Sequence, residues 1–133
     1  MLKLTKGEER IMLILWAIEK GFIKDIQAEF PDPKPPYNSV STIVRVLVKK
    51  DIVSYRAYGG SYQYYPLLSK KQYRDMQMDR LLKNYFSDSL SEVLHYFCQQ
   101  KKVDKAEVNA SLLILEAMQK KTKKSGKKKK TKR

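Results

Sequence analysis

Four of the six residues in Pro31-Asp32-Pro33-Lys34-Pro35-Pro36 are proline, and no helix can run through them. Each ring removes a backbone donor, clashes with the preceding turn and pushes the residue before it out of the α region. The chain must turn a rigid corner here, so the patterns on either side belong to separate elements. Upstream, Thr5 and Glu8 have the T-x-x-E spacing of a capping box. Ile11, Leu15 and Ile18, with Met12 and Trp16 beside them, give an apolar stripe at helical spacing, which Gly21 is expected to end. A short second helix is predicted over Ile23 to Phe30, with Ile26 and Phe30 facing inward. Downstream, Tyr37 to Lys50 reads as a third helix with Val40, Ile43, Val44 and Leu47 on one face. Asn38, Ser41, Thr42 and Arg45 fall opposite, at i, i+3, i+4 and i+7. Its β-branched residues lower its intrinsic propensity, so tertiary packing must hold it.

Val53 to Leu67 then reads as a β-hairpin around Gly59-Gly60, a dipeptide suited to a two-residue turn. That register pairs Tyr58 with Ser61 and Tyr55 with Tyr64. It puts Val53, Tyr55, Ala57, Tyr62, Tyr64 and Pro66 on one face, and Ser54, Arg56, Tyr58, Ser61, Gln63 and Tyr65 on the other. Ser69 with Gln72, Ser89 with Glu92, and Asp104 with Glu107 repeat the capping signature ahead of three further helices. These helices carry more apolar residues than a domain of their size can hide alone. Tyr73, Leu81, Tyr85, Leu90, Leu94, Phe97, Leu112 and Leu115 are therefore candidates for an interface with a second copy of the chain.

The formal net charge of +14 is unevenly placed. Lys120 to Arg133 holds ten Lys/Arg and no acid, which leaves +4 for residues 1–119. Residues 71–119 balance at seven basic and seven acidic, residues 1–33 come to −1, and residues 34–70 to +5. A concentrated positive field of that kind favours polyanions. The expected organisation is a winged helix-turn-helix domain over 1–68, a helical dimerisation domain over 69–119 and a disordered Lys-rich tail over 120–133. The fold class is mainly α with a small β-hairpin wing.

Other chemistries find little support. One cysteine, Cys98, excludes an intramolecular disulfide framework and fits a reducing cytosol. The apolar run Ile11 to Ile18 is too short to span a bilayer, and the capped, acidic start does not read as a signal peptide. A cytoplasmic location is expected. His95 and Cys98 stand at i, i+3, but with no other His or Cys they cannot complete a zinc site within one chain. No phosphate-binding Gly loop or nucleophilic triad is present, so neither enzymatic activity nor a cofactor or metal is expected.

Three helices followed by a hairpin within about seventy residues form the winged helix-turn-helix pattern. A major groove admits one α-helix, and the third helix offers short hydrogen-bonding side chains plus an arginine on its free face. Asn38, Ser39, Ser41, Thr42 and Arg45 are the candidates to meet base edges or phosphate at that helix. Lys49, Lys50, Arg56, Tyr58 and Ser61 are the candidates to hold the flanking backbone. Two other readings fit the same residues. One is a winged-helix module that recruits an acidic protein; the other is a non-specific nucleic-acid binder driven by the tail.

The run Leu4-Thr5 … Glu8 … Ile11-Met12 … Leu15-Trp16 resembles the first helix of the penicillinase-repressor (BlaI/MecI/CopY) regulators. P-K-P-P-Y-N-S-V-S-T-I-V-R-V-L-V-K-K at 33–50 resembles the recognition helix of a Bacteroidetes-like branch of that family. Y-G-G-S-Y-Q-Y-Y-P-L-L-S-K-K-Q-Y at 58–73 resembles its wing and following helix. The resemblance implies a homodimeric bacterial repressor on an inverted-repeat operator, often with TACA/TGTA half-sites, with Asn38, Ser39 and Thr42 at DNA-contacting positions. Arg45 stands one position from the family's usual arginine. The resemblance also implies a sensor protease that releases the repressor by cutting an Asn-Phe bond in the dimerisation domain. The corresponding stretch here, Leu94-His95-Tyr96-Phe97, lacks that Asn. The clustered C-terminal cysteines of copper-responsive members are absent, which argues against copper sensing.

Overall fold

A computed structural model describes residues 2–100 and 103–129, with side chains to residue 122. The chain divides into two compact units, Met1–Asp79 and Arg80–Arg133. The first runs α1 (Lys6–Ile18), α2 (Ile23–Ala28), α3 (Tyr37–Lys49), β1 (Val53–Tyr58) and β2 (Ser61–Pro66), then enters α4 (Lys70–Tyr85). Three helices and an antiparallel hairpin in this order make a winged helix-turn-helix.

The Thr5–Glu8 capping box forms: the Glu8 N–H donates to Thr5 Oγ1 at 3.2 Å and the Thr5 N–H donates to Glu8 Oε1 at 2.8 Å. Gly21 does not end α1 as expected. The helix stops at Ile18, and Glu19 takes the left-handed turn at φ 72° while its N–H reaches Leu15 O at 2.7 Å. Gly21 pairs instead with the wing, donating to Tyr64 O at 2.9 Å and accepting from Tyr64 N–H at 2.8 Å. The site is tight for any side chain, because a Cβ there would lie 2.9 Å from Ile18 Cδ1 and 3.0 Å from Asp25 Cβ.

Ile11, Met12 and Leu15 of α1, Ile26 of α2, and Val40, Val44 and Leu47 of α3 are fully buried. Removing this much apolar surface from water is what holds α3 helical despite its β-branched residues. The corner before α3 is pinned by Lys34, whose ammonium donates to Phe30 O at 2.6 Å and Ala28 O at 3.0 Å, satisfying carbonyls at the end of α2. Gln27 adds a bond to Pro35 O at 3.0 Å. α3 ends where Asp51 turns left-handed at φ 60°.

The hairpin has the expected register, from Val53 opposite Pro66 to Tyr58 opposite Ser61, and its turn uses positive φ at Gly59. Only its base enters the core, through Val53 and Tyr64. On the same face Tyr55, directly opposite Tyr64, and Tyr62 toward the tip lie against each other at 4.3 Å between ring centroids and remain more than two-fifths exposed.

The Ser69–Gln72 capping box opens α4 as the spacing predicts. Tyr73, expected at a dimer interface, is 4% exposed in the core of this first unit. Its hydroxyl accepts the Leu4 N–H at 3.3 Å, and its ring lies 5.9 Å from that of Trp16, whose indole N–H donates to Leu68 O at 2.8 Å. Tyr73 is held in this core because the first turn of α4 covers α1, which leaves its ring no surface to offer a second chain.

The second unit holds the end of α4, α5 (Leu90–Gln100) and α6 (Lys105–Lys129). α4 closes with Ser87 at φ 51° and a bond from Asp88 N–H back to Leu82 O, six residues earlier, at 2.9 Å. The predicted caps form at both later helices, with Glu92 N–H on Ser89 Oγ and Glu107 N–H on Asp104 Oδ1. Among the described residues of this unit none is buried. α6 continues to Lys129, whereas the charge run predicts disorder from residue 120. Lysine is a good helix former, and no proline interrupts the run. Residues 130–133 lie outside the described residues.

Candidate nucleic-acid interface

Successive residues of a helix step by about 100°, so burying Val40, Val44 and Leu47 turns Asn38, Thr42, Arg45 and Lys49 to the opposite side. All four are exposed, as is Ser39 at the helix start. Ser41 departs from the expectation that it shares this face. It is only 9% exposed, because its position falls between buried Val44 and exposed Arg45 around the helix. The Thr42 hydroxyl donates to Asn38 O at 2.8 Å, which leaves its lone pairs and its methyl group outward. Pro36 precedes α3 with no side-chain cap, there is no acid in the first turn, and the first backbone bond is Val40 N–H to Pro36 O. The amides ahead of it, those of Tyr37, Asn38 and Ser39, present the positive end of a thirteen-residue helix.

Beside this face lies an open cleft of about 580 Å³ between the start of α2, α3 and the wing tip. Tyr37, Asn38 and Arg45 line it from α3, and Tyr58, Ser61 and Tyr62 from the hairpin. Tyr64 forms part of its floor. Burial pushes the Tyr64 phenol up, against the opposing pull of the nearby Arg45 guanidinium. The Phe22 ring meets Tyr58 edge-on at 6.1 Å, bracing the wing tip against α2. Asp25, also at the cleft, is occupied in accepting the Phe22 N–H at 2.9 Å. What the cleft offers a ligand is thus an arginine and a lysine, an amide, hydroxyls and aromatic faces.

The sequence-predicted residues fall into three groups. Asn38, Arg45, Tyr58 and Ser61 converge on the cleft, as does the nearly buried Ser41, with Ser39, Thr42 and Lys49 exposed on α3 beside it. Arg56 is exposed on the hairpin but does not line the cleft. Lys50 is drawn away, because its ammonium pairs with Glu8 Oε2 at 2.7 Å. Lys24, Tyr37 and Tyr62 line the cleft although the sequence pattern does not single them out. Period-two alternation assigns Tyr62 to a packed face, and only the outward reach of the hairpin exposes it.

In the second unit, Leu81, Tyr85, Leu90, Leu94, Phe97 and Leu112 are exposed and Leu115 is half-buried. His95 and Cys98 are exposed on α5. Among the described residues no three His, Cys, Asp or Glu side chains are grouped to hold a metal ion, and no helix is long and apolar enough to cross a membrane.

Among solved structures the chain is similar to a CopR repressor at 25% identity, covering 51% of this chain and 100% of that one with a TM-score of 0.43. It is also similar to a possible transcriptional regulator for arsenical resistance at 19% identity, covering 61% of this chain and 83% of that one, again with a TM-score of 0.43. No curated protein sequence matches it. The penicillinase repressor family matches residues 4–117, which span all three helices of the first unit, the wing and most of the second unit, and the chain belongs to that family.

Proposed function

We propose that this chain, a DNA-binding transcriptional repressor by family, acts as a homodimer on an inverted-repeat operator. Each protomer lays α3 in the major groove, where Asn38, Ser39, Thr42 and Arg45 meet base edges. Lys49, Arg56, Tyr58 and Ser61 hold the flanking phosphates. The observation that carries the reading is the exposed polar face of α3 opening onto a cleft whose other wall is the wing. One protomer reads one half-site, so a two-fold partner is required for an inverted repeat. The second unit supports that partner, since among its described residues none is buried while Leu90, Leu94, Phe97 and Leu112 stand in solvent. Two copies that cover these residues mutually would remove a cost each bears alone.

Binding of the full chain to DNA upstream of its own gene, against a scrambled duplex across a salt series, tests the reading. Preference for the native duplex by a dimer supports it. Equal affinity for both duplexes moves the non-specific nucleic-acid reading forward, and no appreciable affinity for either moves the protein–protein reading forward, with α3 and the basic tail recruiting an acidic partner. Release by cleavage is the mechanism the family resemblance implies, in the stretch Leu94–Phe97 of α5. Under that mechanism a cognate sensor protease leaves a fragment; an intact chain removes it.

A further inference from the structure

We propose that the Tyr64 hydroxyl donates to a backbone phosphate of a DNA strand seated in the cleft between α3 and the wing. Tyr64 is then a further DNA-binding residue, one that holds the strand and reads no sequence. The proposal rests on the DNA-binding reading above.

Tyr64 is only 6% exposed, yet among the described residues its hydroxyl has no hydrogen-bond partner. A hydroxyl in such a position normally finds one, because leaving it unmet in the interior costs its full desolvation. Among the described residues no fully buried side-chain nitrogen or oxygen lacks a partner, so solvent reaches this hydroxyl. The opening that Tyr64 lines is the cleft. The residue is also firmly held. Its N–H donates to Gly21 O at 2.8 Å and its carbonyl accepts the Gly21 N–H at 2.9 Å. Its ring centroid lies 5.9 Å from that of Tyr55 and 6.4 Å from that of Tyr62. A donor fixed in this way loses little freedom on binding, unlike the end of a lysine. Burial raises the phenol pKa, so at neutral pH the oxygen keeps the proton it would donate.

The surroundings of the hydroxyl match an oxyanion. Lys24 and Arg45 bring positive charge to the same cleft. The start of α3, with no side-chain cap and no acid in its first turn, borders the cleft through Tyr37 and Asn38. Asp25 also lines it, with Oδ2 engaged by the Phe22 N–H at 2.9 Å. A phosphate oxygen only accepts hydrogen bonds, whereas base edges present donors and acceptors together, so a set dominated by donors fits the backbone. Small ligands are held by enclosure, and this cleft is open, which suits a strand that passes through it.

The test uses the full chain and Tyr64→Phe, which deletes the hydroxyl, keeps the ring and breaks no hydrogen bond of the free protein. Its denaturation midpoint should therefore equal or exceed the parent's, which shows that the fold is intact. The variant is expected to bind the native upstream duplex and a scrambled duplex about tenfold more weakly, by the same factor for each, as for one hydrogen bond to a charged group. Tyrosine carries no charge, so the slope of log affinity against log salt stays as in the parent; loss of a lysine contact would make it shallower by about 0.9. Native duplexes in which each phosphate in turn is replaced by a neutral methylphosphonate locate the contact. At one position the replacement weakens the parent more than Tyr64→Phe, by the factor the hydroxyl contributes.

Equal affinity of parent and variant overturns the proposal and leaves the repressor reading standing. A variant that loses its native-over-scrambled preference overturns it too, because the hydroxyl then acts by positioning α3. Sulfate in place of chloride at equal ionic strength that weakens the parent more than the variant, with no such methylphosphonate position, overturns it in favour of a free oxyanion. A parent without native preference, but with that position present, supports the strand contact while the sequence-specific reading fails. A parent that binds neither duplex overturns both.

Discussion

The Lys50 ammonium donates to Glu8 Oε2 at 2.7 Å, tying the end of α3 to the first turn of α1. Glu8 is 4% exposed and also completes the Thr5 capping box, so one carboxylate serves both the start of α1 and the seat of α3. Burial is the largest single influence on this carboxyl and raises its pKa. The Lys50 and Thr5 hydrogen bonds together outweigh it and hold the pKa below the usual glutamate value.

A depressed carboxylate pKa contributes stability that is fully present above the unfolded value and lost as the pH falls through the folded one. Glu8→Gln keeps an oxygen for the Thr5 N–H and removes the charge. It is expected to cost about 1–2 kcal/mol at neutral pH, at the low end for a charged hydrogen bond because Lys50 is partly solvated. The gap between parent and variant should narrow below about pH 4. Denaturant titrations across the acid range check this, and a pH-independent gap would assign the loss to packing.

Gly21→Ala should loosen the wing from the helices. The new Cβ meets Ile18 Cδ1 at 2.9 Å and Asp25 Cβ at 3.0 Å, so the Ile18 side chain must turn away and the start of α2 must give by a few tenths of an ångström. The expected cost is about 1–3 kcal/mol, typical of overpacking. Hydrogen exchange of the Tyr64 amide, which bonds Gly21 O at 2.8 Å, should accelerate more than that of α3 amides. Uniform acceleration would show a global effect instead.

Thr42 and Arg45 should carry base preference, whereas Lys49 should not. Arg45→Ala is expected to relax discrimination by about 1–3 kcal/mol for each base edge it no longer reads. Lys49→Ala should weaken all duplexes alike and reduce the salt slope by about 1. The Thr42 hydroxyl already donates to Asn38 O, so Thr42→Ser isolates the methyl group. A preference that disappears in the serine variant identifies an apolar base contact, and unchanged discrimination in all three variants would remove α3 as the reader.

Much of the first unit is legible in the sequence because its signals are local. A capping box needs residues three apart, a proline corner needs only its own rings, and a hairpin register follows from its turn. Lys50, Tyr73 and Gly21 depart from their local patterns for a shared reason. Each is defined by a partner distant in sequence: Lys50 by Glu8, Tyr73 by Leu4 and Trp16, Gly21 by Tyr64. Ser41 differs for another reason: it sits at the edge of the buried arc, where a period of 3.6 leaves either side available. The cleft is the hardest feature to foresee. Its walls come from three elements, and Tyr62 looks like a packing residue until the hairpin is seen to outreach the core.

The exposed apolar residues of α5 lead to the last prediction. Leu94 and Phe97 lie three residues apart, so they share a helix face, and they are 40% and 41% exposed. Replacing both with Asn removes apolar surface that the described chain leaves in water, so the isolated protomer loses little. A dimer that buries the two-fifths of each side chain still in water loses about 0.5–1 kcal/mol per side chain on each protomer, and four such losses shift association strongly. Sedimentation should report monomers, and operator affinity should fall steeply while the base preference of α3 survives in what binding remains. Trp16 provides the control: it is the chain's one tryptophan and donates to Leu68 O within the first unit, so unchanged emission shows that the winged helix is intact. Dimers that persist with both substitutions would place the interface elsewhere in the second unit, on the α6 face carrying Leu113 and Ile114, which are 68% and 69% exposed.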